Sequence, residues 1–526
     1  MNRADMRTLP DSHTTKPAHK ENQSRDNALH RDFHELLGKM AFMRKSKFRH
    51  VFGKPLKRDE CYDAIRITRT SWESTYCAVN PKFVAVITEA AGGGSFLVLP
   101  LGKTGRVNID HPMVAGHKGA VLDIAWCPHN DDVIASASED CTVKLWQIPE
   151  DGLKENLTEP VVDLCAHQRR VTLLVWHPTA MNVLLSTGSD NLIIIWNVGT
   201  GEAMMQVEMP DQIYSGSFNS DGSRFVCTCK DKILRIMDTH SGKTVQEGKC
   251  HMGSKPAQCA YLKNGLVFTT GFSKMSERQY ALWDEKDLNE PKTIEEIDSS
   301  NGVMFIFYDA DTNMVYLAGK GDSIIRYYEV TDEAPYVHFL TLYQSNAPQR
   351  GIGFMPKRGL NVNNNEIARF YKLHNNGLCE IIPFTVPRKS ELFQDDLYPD
   401  TASDVPAISA EDFFSGKNSE PVLVSLKDGF APSKKEQLKV VRKSNILDKM
   451  PAKPQQQQSS NNADAAAAPS LPPSHKHDGI DLKELQEEII ELKNKVRRQD
   501  KRIGELEARL SALERNSEEE EGGEVV

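Results

Sequence analysis

Histidine, serine and aspartate, three residue types that cooperate in nucleophilic catalysis, occur together at His117, Ser136 and Asp140. In a hydrolase such a set would supply a base, a nucleophile and an orienting carboxylate. The set returns 50 residues later with a tryptophan in each copy, giving the pairs His117 and His167, Ser136 and Ser186, Asp140 and Asp190, and Trp146 and Trp196. A catalytic centre has no reason to be duplicated, whereas a network that stabilises a repeated unit must recur with every unit. We therefore predict structural networks and no catalytic residue.

Two other combinations resemble ligand sites but lack the required spacing. Gly92 to Gly94 and the string Gly102-Lys103-Thr104 do not form a phosphate-binding loop, because Leu97 stands where that loop needs its first glycine. His475 and His477 have no further ligand nearby, and none of the ten cysteines forms a C-x-x-C pair. The sequence thus predicts no cofactor, no metal site and no enzymatic activity. The scattered cysteines favour a reducing compartment.

The elements that position these residues are short β-strands. Residues 121–126, 133–136 and 142–148 of the first copy are β-rich runs separated by Pro, Asn, Asp or Gly. Degenerate copies end at Met237, Trp283 and Tyr328. Further strand-like runs flank the copies at 77–87, 96–101, 352–355, 368–373 and 378–384. A β region of about 340 residues with about 49 residues per unit predicts seven propeller blades.

The His, Ser, Asp and Trp positions resemble the WD-repeat pattern, in which these four side chains hydrogen-bond inside a blade. We predict an all-β seven-bladed WD-repeat β-propeller with a C-terminal extension, a disordered linker and an α-helical coiled coil. Because a propeller must close its ring, we expect residues 47–52 to supply a strand to the last blade. The predicted segments are a disordered N-terminal extension (1–45), the propeller (46–387), an extension packed on it (388–450), a linker (451–478), a parallel coiled coil (479–515) and an acidic tail (516–526).

The charge balance excludes some classes of partner. The 526 residues carry 64 Lys and Arg against 73 Asp and Glu, a formal net charge of -9. This balance gives no overall attraction to nucleic acid, so we predict no nucleic-acid partner. No run approaches 18 apolar residues, and the first 50 residues are polar, so we expect neither a membrane span nor secretion. The expected location is the cytoplasm.

A seven-residue period begins at Leu482. Nine of the ten core positions are apolar, and these positions are Leu482, Leu485, Ile489, Leu492, Val496, Gln499, Ile503, Leu506, Leu510 and Leu513. The flanking pairs Glu488 with Lys493, Lys495 with Asp500, Arg502 with Glu507 and Arg509 with Glu514 are all opposite in charge. Such pairing is typical of a parallel coiled coil. The alternative is one amphipathic helix lying on the propeller.

The oligomeric state depends on two competing signals. Branched residues at the first core position with Leu at the second usually favour two strands. However, the string from Arg502 to Glu507 resembles the Arg-h-x-x-h-Glu motif of short three-stranded coils, and the string from Arg509 to Glu514 repeats it. In that geometry the Arg stem covers the apolar seam while its guanidinium meets a carboxylate of the neighbouring chain. We expect a homotrimer, with a dimer as the alternative.

Several long strings resemble the coronin family, and within it the short type I members with a single propeller. The resemblance runs from about residue 46 to the end. The strings are Ser46-Lys47-Phe48-Arg49-His50-Val51-Phe52-Gly53, Cys77-Ala78-Val79-Asn80-Pro81, Leu122-Asp123-Ile124-Ala125-Trp126-Cys127-Pro128-His129-Asn130, Gly319-Lys320-Gly321-Asp322-Ser323, Met355-Pro356-Lys357-Arg358-Gly359-Leu360 and Val386-Pro387-Arg388-Lys389-Ser390. The tail from Glu518 to Glu521 is more acidic than the resemblance leads us to expect.

The resemblance implies an actin-binding regulator of the cytoskeleton. Its implied partners are filamentous actin, the actin-related nucleator (Arp) complex through the coiled coil, and other copies of the chain. Its implied role is control of branched actin assembly and turnover, and hence of cell migration and phagocytosis-type processes, at the actin-rich cell cortex. The alternative is a WD-repeat scaffold or adaptor for trafficking or signalling that does not need actin.

Because an actin filament surface is acidic, we expect the propeller to present a local basic face. The resemblance singles out Arg66, in Cys61-Tyr62-Asp63-Ala64-Ile65-Arg66, as a filament contact, and Lys57 and Arg58 are further candidates. The other reading of Arg66 is an ordinary solvated side chain. A second basic stretch comprises Lys434, Lys435, Lys439, Arg442 and Lys443. For it, a filament contact, an acidic phospholipid contact and a solvated face all stay open.

Overall fold

The computed structural model describes residues 46–89, 93–390, 392–433 and 438. Within these ranges the chain forms seven antiparallel sheets that follow one another along the sequence, and one two-stranded hairpin. The seven sheets are the blades of a β-propeller, which confirms the predicted fold class for this region. The predicted N-terminal extension, linker, coiled coil and acidic tail lie outside the described residues. Among the described helices none is long and apolar enough to cross a membrane.

Two short strands, β1 (Phe52–Gly53) and β2 (Tyr62–Asp63), precede the first blade. Blade 1 contains β3 (Cys77–Val79), β4 (Phe83–Thr88), β5 (Gly94–Pro100) and, after the short β6 (Gly105–Arg106), β7 (Met113–His117). Strand β6 pairs with β2 in the sheet of the last blade. Blade 2 contains β8 (Val121–Trp126), β9 (Val133–Ser138), β10 (Val143–Gln147) and β11 (Val162–Leu164). Blade 3 contains β12 (Val171–Trp176), β13 (Val183–Gly188), β14 (Leu192–Asn197) and β15 (Glu202–Glu208).

The remaining blades follow the same order. Blade 4 contains β16 (Ile213–Phe218), β17 (Arg224–Cys229), β18 (Ile233–Asp238) and β19 (Thr244–Lys249). Blade 5 contains β20 (Gln258–Tyr261), β21 (Leu266–Phe272), β22 (Arg278–Asp284) and β23 (Thr293–Asp298). Blade 6 contains β24 (Met304–Asp309), β25 (Met314–Gly319), β26 (Ile324–Val330) and β27 (Val337–Gln344). Blade 7 contains β28 (Gln349–Phe354), β29 (Glu366–His374) and β30 (Cys379–Thr385).

Burial explains why the inner strands are so apolar. Every residue of β9 and β13 is buried, because each blade is covered on both sides by its neighbours. The outermost strand β15 instead alternates exposed and half-buried residues, as expected for a strand at the rim. The middle strands are therefore made of apolar and small hydroxyl residues, such as those of β9 and β13.

The N-terminal segment closes the ring, as predicted for residues 47–52. Strand β1 pairs antiparallel with β30, with Phe52 opposite Thr385. Ahead of it, Phe48 and Val51 are buried in the core shared by blades 6 and 7. The hydroxyl of Tyr327 donates a hydrogen bond of 2.6 Å to the Val51 carbonyl. The last blade is thus completed by residues from the opposite end of the propeller sequence.

The antiparallel order of each blade divides the connections between two faces. The connection between the second and third strands lies on the same side as the connection to the next blade. We call this side the upper face. The connections between first and second strands, and between third and fourth strands, form the lower face.

The segment after β30 packs against the lower face. It contains β31 (Thr401–Ala402), the helix α1 (Ala410–Phe414) and β32 (Leu423–Val424), and β31 pairs with β32. The backbone N–H of Ala407 donates to the Thr179 carbonyl at 2.9 Å, and Phe413 is fully buried. Three short 3-10 helices complete the described structure, at Arg58–Glu60, Lys357–Gly359 and Val362–Asn364.

Candidate functional site

The triad-like residues of the first repeat form a buried network in blade 2. His117 stands at the end of β7, with Nδ1 at 2.9 Å from the Asp140 carboxylate and Nε2 at 2.7 Å from Ser136 Oγ. The Trp146 indole N–H donates to the same Ser136 oxygen at 2.8 Å. These hydrogen bonds hold the pKa of Asp140 well below its usual range despite burial. Because Ser136 has no exposed surface, no substrate can reach its hydroxyl.

Blade 3 repeats this arrangement. His167 Nε2 lies 2.8 Å from Ser186 Oγ, and Trp196 donates to that oxygen at 2.8 Å. His167 Nδ1 lies 3.1 Å from the Asp190 carboxylate. Burial lowers the pKa of His167, and hydrogen bonds from the backbone and from His167 lower that of Asp190. The duplicated geometry is that of a structural network that links each fourth strand to the following blade.

A third copy, which the sequence analysis missed, lies in blade 5. His251 Nε2 is 2.9 Å from Thr269 Oγ1, and the Trp283 indole N–H donates to the same oxygen at 2.9 Å. The hydroxyl stands 14 residues before its tryptophan, against 10 residues in blades 2 and 3. A search that allowed a longer hairpin would have found it from the His, Thr and Trp alone.

Blades 5 and 6 share a second type of network, built from ion pairs. Arg278 is 2% exposed and contacts Asp298 through Nε at 2.6 Å and Asp322 through Nη1 at 2.8 Å. Arg326 Nη2 lies 2.6 Å from the same Asp298 carboxylate. These ion pairs hold the pKa of Asp298 below its usual value. The sequence carries no signal for this cluster, because its members lie on separate elements of two blades.

The upper face is strongly basic. Its connections expose the cations Arg66, Arg69, Lys118, Arg169, Arg170, Lys230, Lys232 and Lys274. Their exposed carboxylates in the described ranges are Glu89 and Glu139, and Glu89 lies 3.3 Å from Arg69. The lower-face connection between β10 and β11 alone exposes Glu150, Asp151, Glu155 and Glu159.

The internal networks explain this difference between the faces. They engage several of the other upper-face carboxylates as partners, namely Asp140 with His117, Asp190 with His167, Asp231 with Arg235, Asp322 with Arg278 and Glu73 with Lys320. A carboxylate that is paired with an arginine or lysine contributes little to the outer field, whereas the exposed cations contribute fully. The residues that hold the blades together thus also leave the upper face positive.

The three residues predicted to contact filaments do not all lie on the same face of the propeller. Arg66 is exposed on the upper face, and its guanidinium has no ion pair or hydrogen bond within the described part of the chain. Arg58 lies in a 3-10 helix on the rim of blade 7, where its guanidinium binds Asp63 at 2.8 Å. Lys57 caps the same helix. Only Arg66 is therefore placed among the other upper-face cations.

The upper mouth of the central channel is covered by the segment from Thr68 to Tyr76. Lys320 Nζ donates to the Trp72 carbonyl at 2.7 Å, and Arg350 donates to the Thr70 carbonyl at 2.6 Å. The guanidinium of Arg170 lies 5.1 Å from the Trp72 ring. Because these contacts come from blades 3, 6 and 7, the segment spans the mouth.

Two sets of predicted residues are not placed by the structure. The basic stretch Lys434, Lys435, Lys439, Arg442 and Lys443 lies outside the described residues. The same holds for all predicted coiled-coil positions. In the part of the chain that is described, no group of His, Cys, Asp and Glu side chains has the arrangement of a metal site.

Three family models match parts of this chain. The model described as a domain of unknown function (DUF1899) covers residues 41–106. The WD domain, G-beta repeat, covers residues 111–147 and 158–197, and a type of WD40 repeat covers residues 379–421. The two G-beta matches contain the networks of blades 2 and 3.

Solved structures give a closer comparison. The WD40 domain from Toxoplasma gondii coronin is 32% identical, with a TM-score of 0.69, and the match covers 72% of this chain and 98% of that chain. A chain of a mitotic checkpoint complex matches at 13% identity and a TM-score of 0.47 over 66% of this chain and 99% of that one, which supports no inference. Since 32% identity extends over nearly all of the solved coronin domain, the protein belongs to the coronin family.

Proposed function

We propose that the protein binds actin filaments through its upper face and controls branched actin assembly and turnover. The proposed setting is the cytoplasmic actin cytoskeleton at the cell cortex, where this activity would serve migration and phagocytosis-type processes. Membership of the coronin family supports the proposal at the level of the partner class. The proposed role is that of a non-enzymatic binding protein.

The observation that carries the proposal is the charge of the upper face. A chain with a net charge of -9 would be repelled by an acidic filament if its charges were evenly spread. Instead, the described upper-face connections expose eight cations against two carboxylates, and several other carboxylates of that face are engaged in internal contacts. Complementary charge of this kind favours encounter with an acidic surface and fixes its orientation.

Arg66 provides the direct test. Replacing Arg66 with Asp reverses one unpaired charge at the edge of the upper face without touching a core contact. We expect co-sedimentation with actin filaments to weaken by about tenfold, and the defect to shrink at high salt, because exposed charges are screened. Lys263→Asp, on the lower face of blade 5, is the matched control. Unchanged binding by a folded Arg66→Asp protein contradicts the proposed face.

The proposal includes oligomerisation by the coiled coil and binding of the nucleator complex through it. These parts rest on the heptad pattern and on family membership, because the coil lies outside the described residues. If neither the full chain nor a chain ending at residue 478 binds filaments, the scaffold or adaptor alternative is favoured.

A further inference from the structure

The hairpin formed by β21 and β22 in blade 5 is longer than its counterpart in blade 2. In blade 2 the ladder between β9 and β10 ends at Ala137 opposite Val143, one pair beyond Ser136. In blade 5 the equivalent hydroxyl is on Thr269, and the ladder continues to Phe272 opposite Arg278. The blade 5 hairpin thus has two additional residue pairs. At about 3.3 Å per residue, it extends about 7 Å further above the upper face.

The stem of this hairpin is firmly anchored. Arg278, its last paired residue, binds both oxygens of Asp298 at 2.6 and 2.7 Å and also contacts Asp322. A side chain on Gly319 would lie 2.3 Å from the Arg278 guanidinium, so the glycine leaves the space that this anchor needs. Phe272 is the residue of β21 that pairs with Arg278, and the Lys255 ammonium lies 4.8 Å from its ring.

Hydrogen bonds also constrain the tip. Ser273 Oγ accepts the backbone N–H groups of Met275 and Glu277 at 3.1 and 3.2 Å, and the Ser273 N–H donates to the Glu277 carbonyl at 2.8 Å. Between these bonds the chain projects Lys274 and Met275 outward, and Met275 is 81% exposed. A rigid loop that exposes a large apolar side chain loses little conformational entropy on binding.

We infer that the Lys274–Met275 tip docks on an acidic protein surface that has an apolar recess. Methionine adapts to irregular apolar recesses, and methionines are enriched at protein interfaces. The neighbouring exposed Lys230 and Lys232 surround this contact with positive charge. The inference rests on the proposed function, because the partner it names is the same acidic filament surface. It adds a second contact across the upper face from Arg66.

The test compares two double variants of the full chain in co-sedimentation with purified actin filaments. Lys274→Ser with Met275→Ser removes the tip side chains, and Lys263→Ser with Met181→Ser removes an exposed lysine and a methionine that is 46% exposed from the lower face. We expect the tip variant to bind about tenfold more weakly, which is the size of effect of an interface hot spot. The lower-face variant should bind as the wild type does.

The outcomes separate this inference from the proposed function. If Arg66→Asp weakens binding and the tip variant binds like the wild type, the hairpin inference alone is overturned. If the wild type fails to bind filaments, the proposed function is overturned, and the hairpin contact with it. Vesicles containing phosphatidylserine distinguish a lipid partner. Loss of vesicle pelleting with filament binding intact would assign the tip to a membrane and overturn the protein contact.

Discussion

At the scale of single residues, the hydroxyl of Ser136 occupies the centre of the blade 2 network. It accepts the Trp146 indole N–H and contacts His117 Nε2, and both partners are buried. The serine therefore affects stability more than its small volume suggests.

Replacing Ser136 with Ala should lower the free energy of unfolding by about 2 to 4 kcal/mol, because two buried polar groups, the Trp146 N–H and His117 Nε2, lose their partner. Denaturant unfolding followed by tryptophan fluorescence measures this change. Ser254→Ala, at an exposed upper-face position, is the control and should leave the midpoint unchanged. Equal midpoints for the two variants would show that the network is dispensable.

His177 gives the propeller an acid-sensitive contact. The ring is fully buried, lies 4.5 Å from the Phe413 ring of α1, and accepts the Ala180 N–H at Nδ1 at 2.8 Å. Burial lowers the pKa of His177 to about 3. The pKa of the imidazole in the unfolded chain is about 6.5. Between about pH 3 and about pH 6.5 the unfolded chain therefore binds a proton at this residue that the folded protein does not bind. Stability therefore rises with pH through this window and is lost on acidification.

His177→Asn should flatten this pH dependence. In blade 1, Asn80 occupies the corresponding turn, and its Oδ1 accepts the N–H groups of Lys82 and Phe83 as His177 Nδ1 accepts those of Thr179 and Ala180. The wild type should lose about 2 kcal/mol more than the variant between pH 7 and pH 5. Urea unfolding at several pH values measures both slopes. Parallel slopes would exclude His177 as the titrating group.

At the scale of elements, the ring closure depends on a segment that makes few strand contacts. Strand β1 contributes only Phe52 and Gly53 to the ladder, but Phe48 and Val51 bury their side chains ahead of it. A chain that begins at residue 53 loses these two core residues, and we expect it to be insoluble or to unfold at a much lower temperature than a chain that begins at residue 46. Equal melting temperatures would show that β1 does not close the ring.

The sequence predicted the strands of blades 1, 2, 3 and 7 closely, because strands covered on both faces are apolar and their turns are polar. The predicted runs 121–126 and 133–136 correspond to β8 and β9. The blade 5 network was missed because two additional residue pairs moved Thr269 away from Trp283. The Arg278 cluster could not be predicted, since its pairing with Asp298 and Asp322 depends on how two blades meet.

At the scale of the whole molecule, the uneven distribution of charge matters more than its sum. The net charge of -9 arises from a chain whose upper face is basic. The filament contacts proposed around Arg66 and at the tip of the blade 5 hairpin are both on that face. One propeller can therefore approach an acidic surface in only one orientation. This polarity makes the linkage of several propellers useful, because each copy would present the same face.

The repeated Arg-h-x-x-h-Glu motif predicts that the full chain is a trimer of 59.0 kDa subunits and that a chain ending at residue 478 is a monomer. If the predicted 28-residue linker behaves as a random coil, it would span roughly 30 Å, so linked propellers could reach neighbouring filament subunits and gain about 100-fold in apparent affinity. Sedimentation equilibrium and filament co-sedimentation of both chains measure these effects. Leu492→Glu with Leu506→Glu disrupts the coil but keeps the acidic tail, so it separates oligomerisation from tail charge. A dimer mass would contradict the trimer, and equal filament affinity for the monomeric variants would contradict avidity.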